Sequence, residues 1–455
     1  MKHLILIYLI SLISVCSFSQ RKFCADDCKK DIDYLFKKYE YLHPNLYASI
    51  PKDTIVKQLD ILKSNITDSL SESQLWFKLT PIVNNLHDGH TSVELSDKGR
   101  EELEESFTKN GLSYLPFSII IKDSNAYVRE LYAKSGIIRG ARVISINRHK
   151  INDVILKMIK YQSGESYNFR IYKLQKTFLW NFPFYYPSKD YEIEYEINGI
   201  SRSEKIQGVS YDQTANYHNK VFPNWNSFIF SIIDKNIALI GYNSCQENEE
   251  KFKAFLDSSF TIIRDKKISS LIIDIRKNGG GESNLNNLLL TYLTDKPFNS
   301  YGRIEVKITK DIRKRFPVYK QFPRDTIILM DTRNKNKPIN NLLFKGNVFL
   351  LTSLETFSSG ADCAMLFKDY KIGTIVGQET GGWPTSYGDK HFFVLPKTKM
   401  NAGVSFKYFI RPSMVDNKKG VLPDITVDYS VQDILSEKDL ELQYVLNLIN
   451  KKSSR

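Results

Sequence analysis

The 455-residue sequence predicts a mixed α/β fold. Short, near-continuous apolar runs alternate with helix-periodic segments through the C-terminal half, and a stretch of strand-like alternation precedes them. Ahead of both lies a stretch with helical spacing alone. With 42% hydrophobic residues the chain buries a sizeable core, and its length favours two or three domains over one.

The first residues, "MKHLILIYLISLISVCSFSQ", put a basic start before an apolar run of signal-peptide length, then small residues Ser17 and Ser19. They predict a signal segment over residues 1–19 and an exported protein, periplasmic or extracellular. Val15 before Cys16 does not suit a lipoprotein signal. No other apolar run is long enough to span a bilayer, so no integral membrane segment is expected after signal removal. Cys24 and Cys28 allow a local disulfide in an oxidising compartment, whereas Cys245 and Cys363 sit among apolar neighbours and read as buried thiols. The net charge of +13 comes from scattered Lys and Arg without a zinc-finger or RNA-binding signature, so nucleic acid is not an expected partner.

From Asp26 to about Leu95 the apolar spacing is helical: "DIDYLFKKYEYL" sets Ile32, Leu35, Phe36 and Tyr39 on one face. "SESQLWFKLTPIVNNL" opens with a Ser and a nearby Glu suited to a helix N-terminus. This N-terminal helical region, 20–110, runs to "HDGHT". Residues 111–205 alternate instead: "YLPFSIIIKDSNAYVREL" reads as strands around a Ser-Asn turn, and "SGIIRGARVISINRHKIND" gives Gly, strand, turn and short helix. That order resembles a PDZ-like domain, in which a strand edge and a helix hold an extended peptide. From 224 to 445, "NIALIGYNSC", "SSLIIDIRKNGGG", "GNVFLLTS" and "KIGTIVGQETGG" are strands, separated by helices such as "NEEKFKAFLDSSFTIIRD" and "ESNLNNLLLTYLTD".

Three features carry candidate chemistry. "IIDIRKNGGG" runs a buried strand into Gly279, Gly280 and Gly281, where backbone N–H groups can approach a ligand closely. The Walker lysine and the dinucleotide spacing are both missing, so an oxyanion donor fits better than a phosphate loop. "LETFSSGADCAML" places Ser358 and Ser359 at a helix N-terminus, where a serine either caps the helix or serves as a nucleophile; the segment alone does not choose. "NNLHDGHTSV" offers His87, Asp88 and His90, a metal-like grouping without a second ligand cluster in the sequence, or a base for a serine.

The order "DGHT", PDZ-like segment, "DIRKNGGG", "TFSSGAD" and "GTIVGQETGG" resembles the tail-specific, or C-terminal processing, serine peptidases. That family includes the tricorn core protease and the retinoid-binding modules of the interphotoreceptor retinoid-binding protein. The resemblance implies a ClpP/crotonase-like mixed-sheet peptidase core, a protein or peptide substrate, and no metal or cofactor. Matched without gaps, "TFS" makes Ser358 the nucleophile; a one-residue slide would make it Ser359. The N–H groups of Ser359 and of Gly279 or Gly280 become the oxyanion donors. The family's dyad lysine has no counterpart in "ETGGWPTSYGD", leaving Lys390 and Lys407 as fallback bases. The tricorn-like branch uses a histidine, matched by His90, and an acid shortly before a "GVxPD" motif. Asp416, upstream of "GVLPD", takes that acid's place, while Asp424 and Asp88 read as turn carboxylates. The alternative function is a catalytically inactive member of the fold that binds a peptide or an apolar ligand.

Overall fold

The computed structural model describes residues 20–453 apart from 224–225, 331, 333–335 and 337. The expected signal segment, 1–19 with Cys16, lies outside the described residues, as does residue 224 at the start of the expected core.

The N-terminal helices are Ala25–Leu42, Lys52–Ser64, Glu72–Asn84 and Asp97–Lys109. Ile32, Leu35, Phe36 and Tyr39 are all buried, so the first helix presents the face that its spacing sets out. Ser71 caps the third helix in a reciprocal box with Gln74. The nearby Glu72 instead turns to the fourth helix, where its oxygens accept from Ser96 N–H and Oγ. That fourth helix follows "HDGHT" and was not evident in the sequence. Its segment is strongly charged, and only Gly99 and Phe107 are buried, so it carries no apolar stripe to read. Cys24 is exposed and Cys28 buried, both as free thiols, because one stands at the helix start and the other on its inward face. The disulfide that the sequence allows is absent between them.

Residues 117–207 form a separate antiparallel sheet. Its edge strand Phe117–Lys122 turns at Asp123 and Ser124, both left-handed, into Asn125–Leu131. The helix Tyr167–Tyr185, capped by Ser166, packs on that edge strand and spends its Gln175 Oε1 on the Ile121 N–H.

The remainder is built on a six-stranded sheet. Strands Ile237–Tyr242, Ser270–Asp274, Asn347–Thr352, Thr374–Gly377 and the two-residue Ile425–Thr426 run parallel in that spatial order, with antiparallel Phe228–Asp234 on the opposite edge. The side chains of the four strands from Ile237–Tyr242 to Thr374–Gly377 are largely buried, which accounts for the near-continuous apolar runs. Helices Glu249–Asp265, Asn284–Leu290 and Ser359–Tyr370 pack into the same core, together with Cys245 and Cys363 at 0% exposure. A second sheet joins Arg303–Ile308, Thr326–Met330, Ser386–Val394 and Asn401–Ile410. The short strand Ser92–Glu94, just after "HDGHT", pairs with Asn401–Ile410 and fastens the N-terminal region to this sheet. The architecture is mixed α/β, as the sequence predicts.

Candidate active site

The strand Asn347–Thr352 ends in a turn whose groups bond to the neighbouring glycine-rich loop. Ser353 Oγ donates to the Arg276 carbonyl, Thr356 Oγ1 to that of Ile275, and Phe357 N–H to that of Asn278. This lateral stitching brings the turn to Ser358 at φ 50° and ψ −128°, a backbone conformation that L-residues rarely adopt. Ser358 occupies the N-cap position of the following helix, yet its side chain makes no capping bond. The hydroxyl lies 3.1 Å from His90 Nε2, a contact between residues 268 positions apart. Ser359 Oγ turns away, donating to the Gly281 carbonyl at 2.6 Å and lying 2.9 Å from Ser283 Oγ. Of the two serines, the geometry singles out Ser358.

The glycine-rich loop packs directly on this serine. Gly280 sits at φ +105°, and a Cβ there would stand 2.7 Å from Ser358 Cβ. Its N–H donates to Asn278 Oδ1 at 2.9 Å, so Gly280 supports the turn instead of offering its donor as expected. Gly279 N–H and Ser359 N–H have no acceptor among the described residues. A Cβ on Gly279 would meet nothing within 4 Å, so the approach to that position is open.

His90 is held from its own loop. Asp88 Oδ1 accepts the His90 backbone N–H at 2.8 Å and lies 4.0 Å from the ring Nδ1. Asp88 Oδ2 accepts from Thr91 Oγ1 at 2.5 Å, Ser405 Oγ at 2.7 Å and His43 Nε2 at 3.2 Å. His43 Nδ1 accepts the Asn45 N–H, which assigns the His43 proton to Nε2, facing Asp88. Burial pushes the Asp88 carboxyl up, but the His43 hydrogen bond and the nearby imidazoles outweigh it and hold the group well below the usual carboxylate range. Burial drives His90 below its ordinary value, with Asp88 opposing, so at neutral pH the imidazole is uncharged and able to accept a proton. Its ring stacks on Phe357 at 5.0 Å, and Phe357 stacks on Phe169 at 4.9 Å.

Asp416 is not brought to His90. Its carboxylate accepts from Tyr408 OH at 3.1 Å and pairs with Lys418 Nζ at 2.9 Å, and no hydrogen bond joins it to the imidazole among the described residues. The carboxylate that lies 4.0 Å from Nδ1 is Asp88, which reads as a turn residue in the sequence. Its position two residues before His90 was the available signal. Lys407 is committed to Asp389 at 2.5 Å, and no hydrogen bond links Lys390 to Ser358 among the described residues. Asp424 serves the fold, with Oδ2 accepting the Ile375 N–H of the strand Thr374–Gly377.

Residues 236–427 match the model of peptidase family S41. No curated protein matches the sequence. Among solved structures, a serine-to-alanine mutant of CPAF is 12% identical, with a TM-score of 0.65 over 91% of this chain and 95% of that one. Mature CPAF complexed with lactacystin is 13% identical, with a TM-score of 0.63 over 94% of this chain and 98% of that one. At such identities the likeness is one of fold.

Proposed function

Through residues 236–427 the chain belongs to peptidase family S41, and from that membership we propose that it is an exported serine endopeptidase. The observation that carries this reading is the 3.1 Å contact of Ser358 Oγ with His90 Nε2. In this mechanism Ser358 attacks the peptide carbonyl while His90 Nε2 takes its proton. The developing oxyanion turns toward the N–H groups of Gly279 and Ser359. His90 then returns the proton to the leaving amine, and water hydrolyses the acyl-enzyme by the same steps. Asp88, in place of Asp416, supplies the negative charge on the Nδ1 side and holds the histidine by its backbone.

The proposal keeps a signal segment over 1–19, a helical region over 20–110, a PDZ-like domain over 111–205 and the peptidase core over 224–445. The PDZ-like sheet presents its edge strand to a cavity of about 1000 Å³, lined by Ile121, Ile155, Tyr172, Lys277 and Glu355 among others, which suits an extended peptide end. Among the described residues no helix is long and apolar enough to cross a membrane.

Hydrolysis of an unfolded protein substrate tests the reading. Ser358→Ala and His90→Ala are expected to lose activity by about 10⁴-fold or more, and Asp416→Asn to lose little. Wild-type rates in Ser358→Ala would overturn it.

A further inference from the structure

His90, Asp88 and Glu165 each place one potential ligand atom so that all three lie within 4.8 Å of one another. Glu165 comes from the loop before the helix Tyr167–Tyr185, far along the chain from "HDGHT", and is only 9% exposed. Each residue also has spare bonding capacity there. Glu165 Oε2 is buried without a hydrogen-bond partner, and His90 Nδ1 is buried without a partner at full hydrogen-bond geometry, with the Tyr387 backbone beside the ring. Asp88 Oδ1 accepts only the His90 backbone N–H among the described residues, leaving one lone pair. Glu165 is anchored through its other oxygen, Oε1, which accepts the Gly89 N–H at 3.1 Å. A buried carboxylate oxygen without a partner, facing an imidazole and a second, charged carboxylate, calls for a bridging species.

We propose that His90, Asp88 and Glu165 bind one divalent transition-metal ion of the zinc type, and that the ion switches Ser358 off. One imidazole nitrogen with two carboxylate oxygens is a donor set that zinc accepts, leaving a fourth position for water. Zinc holds such ligands at about 2.0–2.2 Å, so the 4.0 Å between Asp88 Oδ1 and His90 Nδ1 closes by about half an ångström on binding. Two carboxylates also balance the ion's charge within a buried pocket.

The consequence for the nucleophile is a matter of tautomers. His90 accepts the Ser358 proton only while Nε2 is bare and the ring proton sits on Nδ1. An ion on Nδ1 moves that proton to Nε2, the atom 3.1 Å from Ser358 Oγ, and the base is lost while Ser358 stays in place.

Isothermal titration of the purified chain with Zn²⁺ tests the site itself. Ser358→Ala is expected to bind one ion as tightly as wild type, and Glu165→Gln, of nearly identical shape, at least tenfold more weakly. His90→Ala, which removes the nitrogen ligand, is expected to weaken binding likewise; circular dichroism confirms that each variant is folded. Labelling of Ser358 by a serine phosphonate should fall with added Zn²⁺ and return with EDTA in wild type, and resist Zn²⁺ in Glu165→Gln. Absence of binding, or equal affinity in folded wild type and Glu165→Gln, overturns the site. The inhibitory effect rests on the proposed Ser358 chemistry but the binding does not, so zinc binding to a chain that never labels would refute that chemistry and leave the site standing.

Discussion

Ser358 stands in a backbone conformation that costs about 1–3 kcal/mol, and its neighbours hold it there. Gly280 presses on its side chain, and a Cβ on Gly382 would come within 2.9 Å of its amide nitrogen. Gly280→Ala therefore meets both a left-handed φ and a 2.7 Å clash, and is expected to abolish phosphonate labelling in a chain that still folds, though it melts earlier. Labelling at the wild-type rate would show that the turn tolerates displacement. Behind Ser358, burial raises the Asp362 carboxyl to about 6, although Tyr301 and Ser283 hydroxyls donate to it. Its folded value exceeds the ordinary 3.8, so folding takes up a proton between the two, and stability declines as pH rises through that window. Asp362→Asn should flatten the melting temperature against pH from about pH 4 to 6; an unchanged slope would place the titration elsewhere. Ser358 and Gly279 stand out as candidates in the sequence because each sits in a short motif whose chemistry is local. Asp416 misled because its partners, Tyr408 and Lys418, are near neighbours that a motif does not weigh. Glu165 gave no signal, since its anchor at Gly89 lies 76 residues away.

The helix Tyr167–Tyr185 joins the antiparallel sheet to the turn that carries Ser358. Gln175 holds the edge strand at Ile121, Phe169 stacks on Phe357, and Tyr172 OH and Lys176 Nζ both reach the Glu355 carboxylate, at 2.6 and 2.5 Å. Phe169→Ala removes a side chain that is 7% exposed, and is expected to cost about 3 kcal/mol in a denaturant melt and to slow labelling of Ser358. Phe169→Leu should recover most of both. A stability loss without slower labelling would mean that the helix props the domain but not the site. The sequence hid this helix because buried residues occur on several sides of it, so no clean stripe marks it. The parallel strands were easier: burial on both faces makes each a continuous apolar run between turn residues.

Across the whole molecule the candidate site joins two distant parts of the chain. The parallel sheet carries Ser358 on its connection, while His90 arrives on an N-terminal loop that the strand Ser92–Glu94 zips onto Asn401–Ile410. The α/β class was legible because it follows from local patterns repeated along the chain. The meeting of His90 and Ser358 was not, because it depends on pairing between segments about 300 residues apart, whose registers no local pattern fixes. That meeting is the central claim, and its most direct test is to label the purified protein with a serine phosphonate and map the adduct by intact mass and peptide sequencing. The account predicts a single adduct on Ser358, absent in Ser358→Ala and sharply reduced in His90→Ala. An adduct on Ser359, or labelling of Ser358 that persists undiminished in His90→Ala, would contradict it.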